Sequence, residues 1–182
     1  MREGREEIRP MSMKRIPMPA IEGSHCFACG SRNPMGLSMS FYLFGDSVRS
    51  DLSLSSHHVG WENIAHGGII STILDEIMGW SVITFKQVYS VTKSMEIRFL
   101  KPVPVQTPLT AIGRIIDENE GGTRDCRTRG MLVDSEGNRL AEGYGRMAIL
   151  SPKRMHMISP QYRRDMDGFF DRIRALIAQN HP

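Results

Sequence analysis

One stretch constrains this chain more than any other. Between Ile69 and Phe85, the apolar residues Ile69, Ile70, Ile73, Leu74, Ile77, Met78, Val82 and Ile83 cover nearly the whole circumference of a helix. A helix that is apolar all round has to be covered all round. Two adjacent acids, Asp75 and Glu76, interrupt the run, which makes it too polar in the middle to read as a membrane span. The cover must therefore come from the rest of the chain.

The rest of the chain reads mainly as strands. Leu37, Met39, Phe41 and Leu43 alternate with Ser38, Ser40 and Tyr42, the period-2 pattern of a half-buried strand. Gly45-Asp46 turns into a second strand with Val48, Ser50, Leu52 and Leu54 on one face. After the helix, Met95, Ile97 and Phe99 alternate, Leu109 to Ile116 form the next run, and residues 123–133 and 139–150 read as a hairpin around Asp134–Asn138. Met166, Phe169, Phe170, Ile173 and Leu176 then recur at helical spacing. The expected class is α+β: a curved antiparallel sheet wrapped around one long helix, plus a C-terminal amphipathic helix. Residues 1–22 read as a poorly ordered arm or loose lead-in, 23–152 as the domain, and 153–182 as an extension with a helix over about 161–179.

Bulk properties exclude some classes. A formal charge of +3, from 23 basic and 20 acidic residues, is too weak a bias to argue for nucleic acid. The N-terminus has charges but no apolar core, so no signal peptide is expected. Three cysteines make no disulfide framework, and a cytoplasmic setting follows as the default.

Asp75 carries the chemistry. A carboxylate in mid-helix between Ile73, Leu74, Ile77 and Met78 is costly to bury unless paired or used. Glu76 points about 100° away around the helix, so one acid at most faces a given pocket. At the helix start, free N–H groups at Gly67 and Gly68 suit a developing oxyanion. Gly67 and Asp75 are separated by roughly 12 Å along a straight helix, too far to act on one carbonyl group. Two antiparallel copies bring each Gly67 to the other's Asp75, which places the site at a dimer interface. Cys26-Phe27-Ala28-Cys29 next to His25 is a C-x-x-C pair, but zinc needs further ligands and Cys126 lies far along the chain, so no metal is expected. Trp61, Trp80 and the thirteen methionines suit an adaptable apolar tunnel. Lys93, Arg98, Lys101, Arg127 and Arg129 suit phosphates or a solvated strand face equally.

The run His66-Gly67-Gly68-Ile69-Ile70-Ser71-Thr72-Ile73-Leu74-Asp75-Glu76-Ile77-Met78-Gly79 resembles the central-helix motif of hot-dog fold acyl-CoA thioesterases of the phenylacetate-pathway-like branch, in the 4-hydroxybenzoyl-CoA thioesterase superfamily. Thr92 to Pro104 is similar to the strand that follows that helix, and Cys26–Gly30 with Asn33–Leu37 to the lead-in of some members. The resemblance covers about residues 25–150. It implies a hot-dog fold, hydrolysis of an acyl-CoA to free acid and coenzyme A, no cofactor beyond coenzyme A as part of the substrate, no membrane or nucleic-acid partner, and a homodimer or dimer of dimers (a homotetramer). It also implies that Asp75 attacks the thioester or activates water, that the Gly67 N–H polarises the carbonyl, that His66 shapes the site, and that the Thr92 hydroxyl positions the water. Some members carry an amide side chain where this chain has Gly60, so His58, Asn63 or the Gly68 N–H is left to supply the second donor, with Trp61 near the substrate. The rival readings are a non-catalytic acyl-CoA sensor on the same fold, and a dehydratase or hydratase, which wants a paired histidine that Asp75 lacks on its helix.

Overall fold

The computed structural model describes residues 14–117 and 125–180; residues 1–13 of the arm expected over 1–22 and the first two residues of the expected 123–133 strand lie outside them. The described elements are β1 (Ile16–Pro17), β2 (Tyr42–Phe44), β3 (Ser47–Leu52), β4 (Val59–Trp61), β5 (Ile64–Ala65), α1 (Gly67–Lys86), β6 (Ser90–Phe99), β7 (Leu109–Asp117), β8 (Asp125–Asp134), β9 (Arg139–Ile149) and α2 (Pro160–Asn180). Seven strands form one antiparallel sheet in the order β1-β2-β3-β7-β8-β9-β6, with β4 and β5 paired separately. The sheet curls around α1, the arrangement the sequence predicts.

The sheet approaches the helix closely because of glycine. Gly113, Gly130 and Gly143 are cross-strand neighbours on β7, β8 and β9. A Cβ at Gly113 would stand 2.3 Å from the Ile77 carbonyl oxygen, and one at Gly130 would stand 3.2 Å from that of Leu74. A side chain at Gly113 would lift the sheet off α1 and one at Gly130 would crowd it, whereas a Cβ at Gly143 would make only ordinary contacts at 3.5–3.6 Å. Ile73, Leu74, Ile77, Met78 and Val82 are consequently fully buried.

The sheet covers only part of the helix circumference. On the other side Trp80 stacks on Phe41 with ring centroids 4.0 Å apart and meets the edge of Phe169 at 5.5 Å. Met166, Phe169, Phe170 and Ile173 of α2 are buried there, and the Tyr89 hydroxyl donates to Asp167 Oδ1 (2.9 Å). The C-terminal extension is thus part of the core around Trp80, which corrects the placing of Trp80 in a substrate tunnel.

Two expectations for the N-terminal third need revision. Residues 14–22 are not loose: Ile16 is buried and pairs with Leu43, and Arg15 bonds Asp51 Oδ2 (2.6 Å). The strand expected from Leu37 joins the sheet only at Tyr42. Met39 and Phe41 do point inward, but the Leu37 and Met39 amides donate to Phe27 O (2.8 Å) and Ala28 O (2.9 Å) of the cysteine loop. Burial alternation reports which side faces the core, not which neighbour supplies the hydrogen bonds.

Candidate active site on the central helix

His66 closes the start of α1. Its backbone is extended (φ −62°, ψ 137°), and its Nδ1 accepts the Gly68 N–H at 2.9 Å, an N-cap made by an imidazole. The Gly68 amide is therefore engaged within the chain and is not a free donor, contrary to the sequence expectation. Among the described residues the Gly67 N–H has no acceptor. Gly60, at the position where some members of the resembling family carry an amide side chain, packs on His66: a Cβ there would lie 2.8 Å from His66 Cα. Beside Gly67 opens a groove of ≈ 420 Å³ lined by Trp61, Ile64, Ile70, Phe99, Lys101 and neighbours. Trp61 is 79% exposed at its rim.

Asp75 sits two turns further on. The Thr92 hydroxyl donates to Asp75 Oδ1 at 2.6 Å. Strand parity alone would turn Lys93 toward the helix, because Met95, Ile97 and Phe99 oppose the helix-facing positions Gly145, Gly143 and Ala141 of β9. The β6 register shifts between Thr92 and Ser94, so Thr92 opposes the buried Met147 instead. This one-residue bulge re-aims Thr92 onto Asp75. The same face of α1 continues past Gly79, where an added Cβ meets nothing within 4 Å, to Ile83. Ile83 lines an apolar cavity of ≈ 420 Å³ with Val88, Val91, Met157, Tyr162 and Met166.

Glu76 faces a different side of the helix. Its Oε1 accepts the Trp80 Nε1–H at 2.9 Å, and its Oε2 lies 3.6 Å from Cys26 Sγ. Burial pushes the Glu76 carboxyl up to about 7. Sharing of a hydrogen between the paired thiols pulls Cys26 down to about 5 and pushes Cys29 up. Sequence reasoning named Glu76 only as a competitor of Asp75. The C-x-x-C pair was the available signal, but nothing in the sequence joins it to a residue fifty positions later.

The remaining candidates fall at the periphery. His58 belongs to a capping box, its Nδ1 accepting the Ser55 N–H (3.1 Å), and burial with the neighbouring His57 lowers its pKa. Asn63 is exposed in the β4–β5 turn, and its carbonyl accepts the Val105 N–H (2.8 Å). Lys93 pairs with Asp125, Arg98 with Glu96, and Arg129 with Glu142, whereas Lys101 borders the groove beside Gly67.

An antiparallel sheet curled around one long helix is the hot-dog fold, and in this chain an acid stands midway along that helix. A model of the thioesterase superfamily matches residues 62–119, the segment carrying the start of α1, Asp75 and Thr92. Solved structures with this fold include a thioesterase superfamily protein (TM-score 0.63, 23% identity over 68% of this chain and 60% of that one). A hypothetical thioesterase from Streptococcus pneumoniae solved with coenzyme A also matches (TM-score 0.53, 24% identity, 58% of this chain and 80% of that one). So does the Escherichia coli PaaI protein of the phenylacetic acid degradation operon (TM-score 0.55, 14% identity, 63% of this chain and 81% of that one). No curated protein sequence matches the chain significantly. The chain spans less than two thirds of the first of these structures.

Proposed function

We propose that this protein hydrolyses acyl-CoA thioesters to the free acid and coenzyme A, at a site completed by a second copy of the chain. The observation that carries the reading is the Thr92–Asp75 hydrogen bond of 2.6 Å, between two positions that the resemblance implies for catalysis and that lie on different elements. The hydroxyl hydrogen goes to Asp75 Oδ1, which leaves the Thr92 oxygen to accept a hydrogen from water and Asp75 Oδ2 to take the proton. Water attacks the thioester carbon, the carbonyl oxygen becomes an oxyanion held by the second copy's Gly67 N–H, and collapse expels the coenzyme A thiolate, which is then protonated.

Several features support the dimeric arrangement. Among the described residues the outer edge of β6 is unpaired; the strand is ten residues long and rich in exposed apolar groups: Val91, Met95 and Phe99, followed by Leu100. Such an edge is a template for another strand. Thr92 lies on this strand, and the groove beside Gly67 includes Phe99, so pairing through β6 brings one copy's Gly67 end toward the other's Asp75. The apolar cavity beyond Gly79 offers the acyl group a place, and Lys101 offers the carrier a cation. The coenzyme A bound to the Streptococcus pneumoniae protein supports this choice of carrier. A cytoplasmic location and a dimer of dimers belong to the same proposal.

The test is thiol release from a panel of short, medium, long and aryl acyl-CoAs by wild type and Asp75→Asn. Turnover that falls at least about a hundredfold in the variant, with the assembly unchanged, is expected. Binding of acyl-CoA without thiol release by wild type would replace the hydrolase with an acyl-CoA binding module.

A further inference from the structure

A second cluster of polar side chains gathers on another face of α1 from Asp75. Cys26 Sγ, Cys29 Sγ and a Glu76 carboxylate oxygen all lie within 4.8 Å of one another. They come from two distant parts of the chain, the loop before β2 and the middle of α1. The loop is shaped around its sulfurs: the Ala28 N–H points at Cys26 Sγ (3.4 Å), and the Gly30 N–H closes the turn on Cys26 O (2.9 Å). No side chain fits at Gly30, where a Cβ would lie 2.5–2.6 Å from the Cys26 and Ser24 backbone. The carboxylate is oriented too, because the Trp80 indole N–H holds Oε1 and leaves Oε2 toward the sulfurs.

We propose that Cys26, Cys29 and Glu76 bind one zinc ion, with a fourth position open to water. Two sulfurs and one carboxylate oxygen are a zinc donor set, and three protein ligands with an open position are an accepted count. Spacing agrees. Bond lengths of about 2.3 Å to sulfur and about 2.1 Å to oxygen in a tetrahedron separate S and O by about 3.6 Å. The Cys26 Sγ to Glu76 Oε2 distance is 3.6 Å. The Trp80 contact is then the outer hydrogen bond that fixes a ligating carboxylate. The ion would tie the loop that carries Phe27 and Ala28, and through them the Leu37 and Met39 backbone, to the middle of the central helix. The site lies on a different face of α1 from Asp75. Cys126, on β8, is outside the cluster.

Metal content of the reduced, full-length protein and cobalt(II) titration of the metal-stripped protein test this directly. One zinc per chain is expected, with thiolate-to-cobalt charge-transfer bands that are absent in Cys26→Ser and Cys29→Ser but present in Cys126→Ser. Glu76→Gln should keep the sulfur bands while weakening zinc at least about tenfold in a chelator competition, and Trp80→Phe should weaken it by about the same factor. Folded, reduced wild type that holds no zinc and develops no charge-transfer band on cobalt addition would overturn the site. Glu76→Gln binding zinc as tightly as wild type would overturn the carboxylate's part in it. Neither readout depends on thioester hydrolysis.

Discussion

Asp75 and Glu76 are neighbours in sequence and opposites in surroundings. Asp75 is half-buried beside an open strand edge and takes one hydrogen bond, from a hydroxyl on that strand. Glu76 is enclosed by the cysteine loop and Trp80, which itself lies between Phe41 and Phe169. The 100° step of the helix separates them. One is placed to meet a ligand arriving from outside the chain, and the other is placed to hold internal parts together. The lesson is that an acid's role on a buried helix is set by what covers its side of the helix, not by the helix.

This contrast can be broken in a graded way. The largest effect is expected from Asp75→Asn, with thiol release down at least about a hundredfold and the thermal midpoint little changed, read by activity assay beside thermal unfolding. Trp80→Phe should do the reverse: it removes the indole N–H from Glu76 and costs about 1–3 kcal/mol in urea unfolding, while thiol release stays near wild type. Loss of activity in that variant with stability intact would erase the distinction between the two sides. Thr92→Val should lower turnover by about tenfold, the worth of one hydrogen bond near a charge, and Thr92→Ser should restore it. If serine fails to rescue, the hydroxyl is not what matters.

The smallest effect sharpens the comparison from outside the helix. Asp51 accepts from Tyr42 (2.9 Å), Thr110 (3.0 Å) and Arg15 (2.6 Å). Partial burial raises its pKa, and these bonds more than reverse that, so the net shift is downward from 3.8. A carboxylate with a lowered folded pKa adds stability above its unfolded value and loses it as pH falls through the folded one. Because the ion pair is exposed, Asp51→Asn should cost only about 0.5 kcal/mol at pH 7 and nothing once the pH is well below the folded value. A difference that persists in acid would mean that packing of the β1 segment, not charge, is what Asp51 supplies.

Much of this was legible in the residues. The helix announced itself because a segment apolar on every side admits few environments, and the strands announced themselves by alternation. Asp75 stood out because a carboxylate among Ile73, Leu74, Ile77 and Met78 demands an explanation. What stayed hidden depended on register. Gly113, Gly130 and Gly143 read as scattered glycines until pairing sets them side by side under α1. Alternation gives Lys93, not Thr92, the inward position, and only the bulge reverses it. The His66 imidazole takes the Gly68 N–H that the sequence left free.

The sequence by itself determined that one helix is buried, that sheet surrounds it, and that Asp75 is the acid to explain. Those follow from local periodicity and from the cost of burying charge, both of which are properties of neighbouring residues. The tertiary structure decided which hydroxyl reaches Asp75, which amide at the helix start is left free, and that Glu76 meets two cysteines fifty residues earlier. Those depend on one-residue register and on contacts between distant segments, where a single slip exchanges one face of a strand for the other.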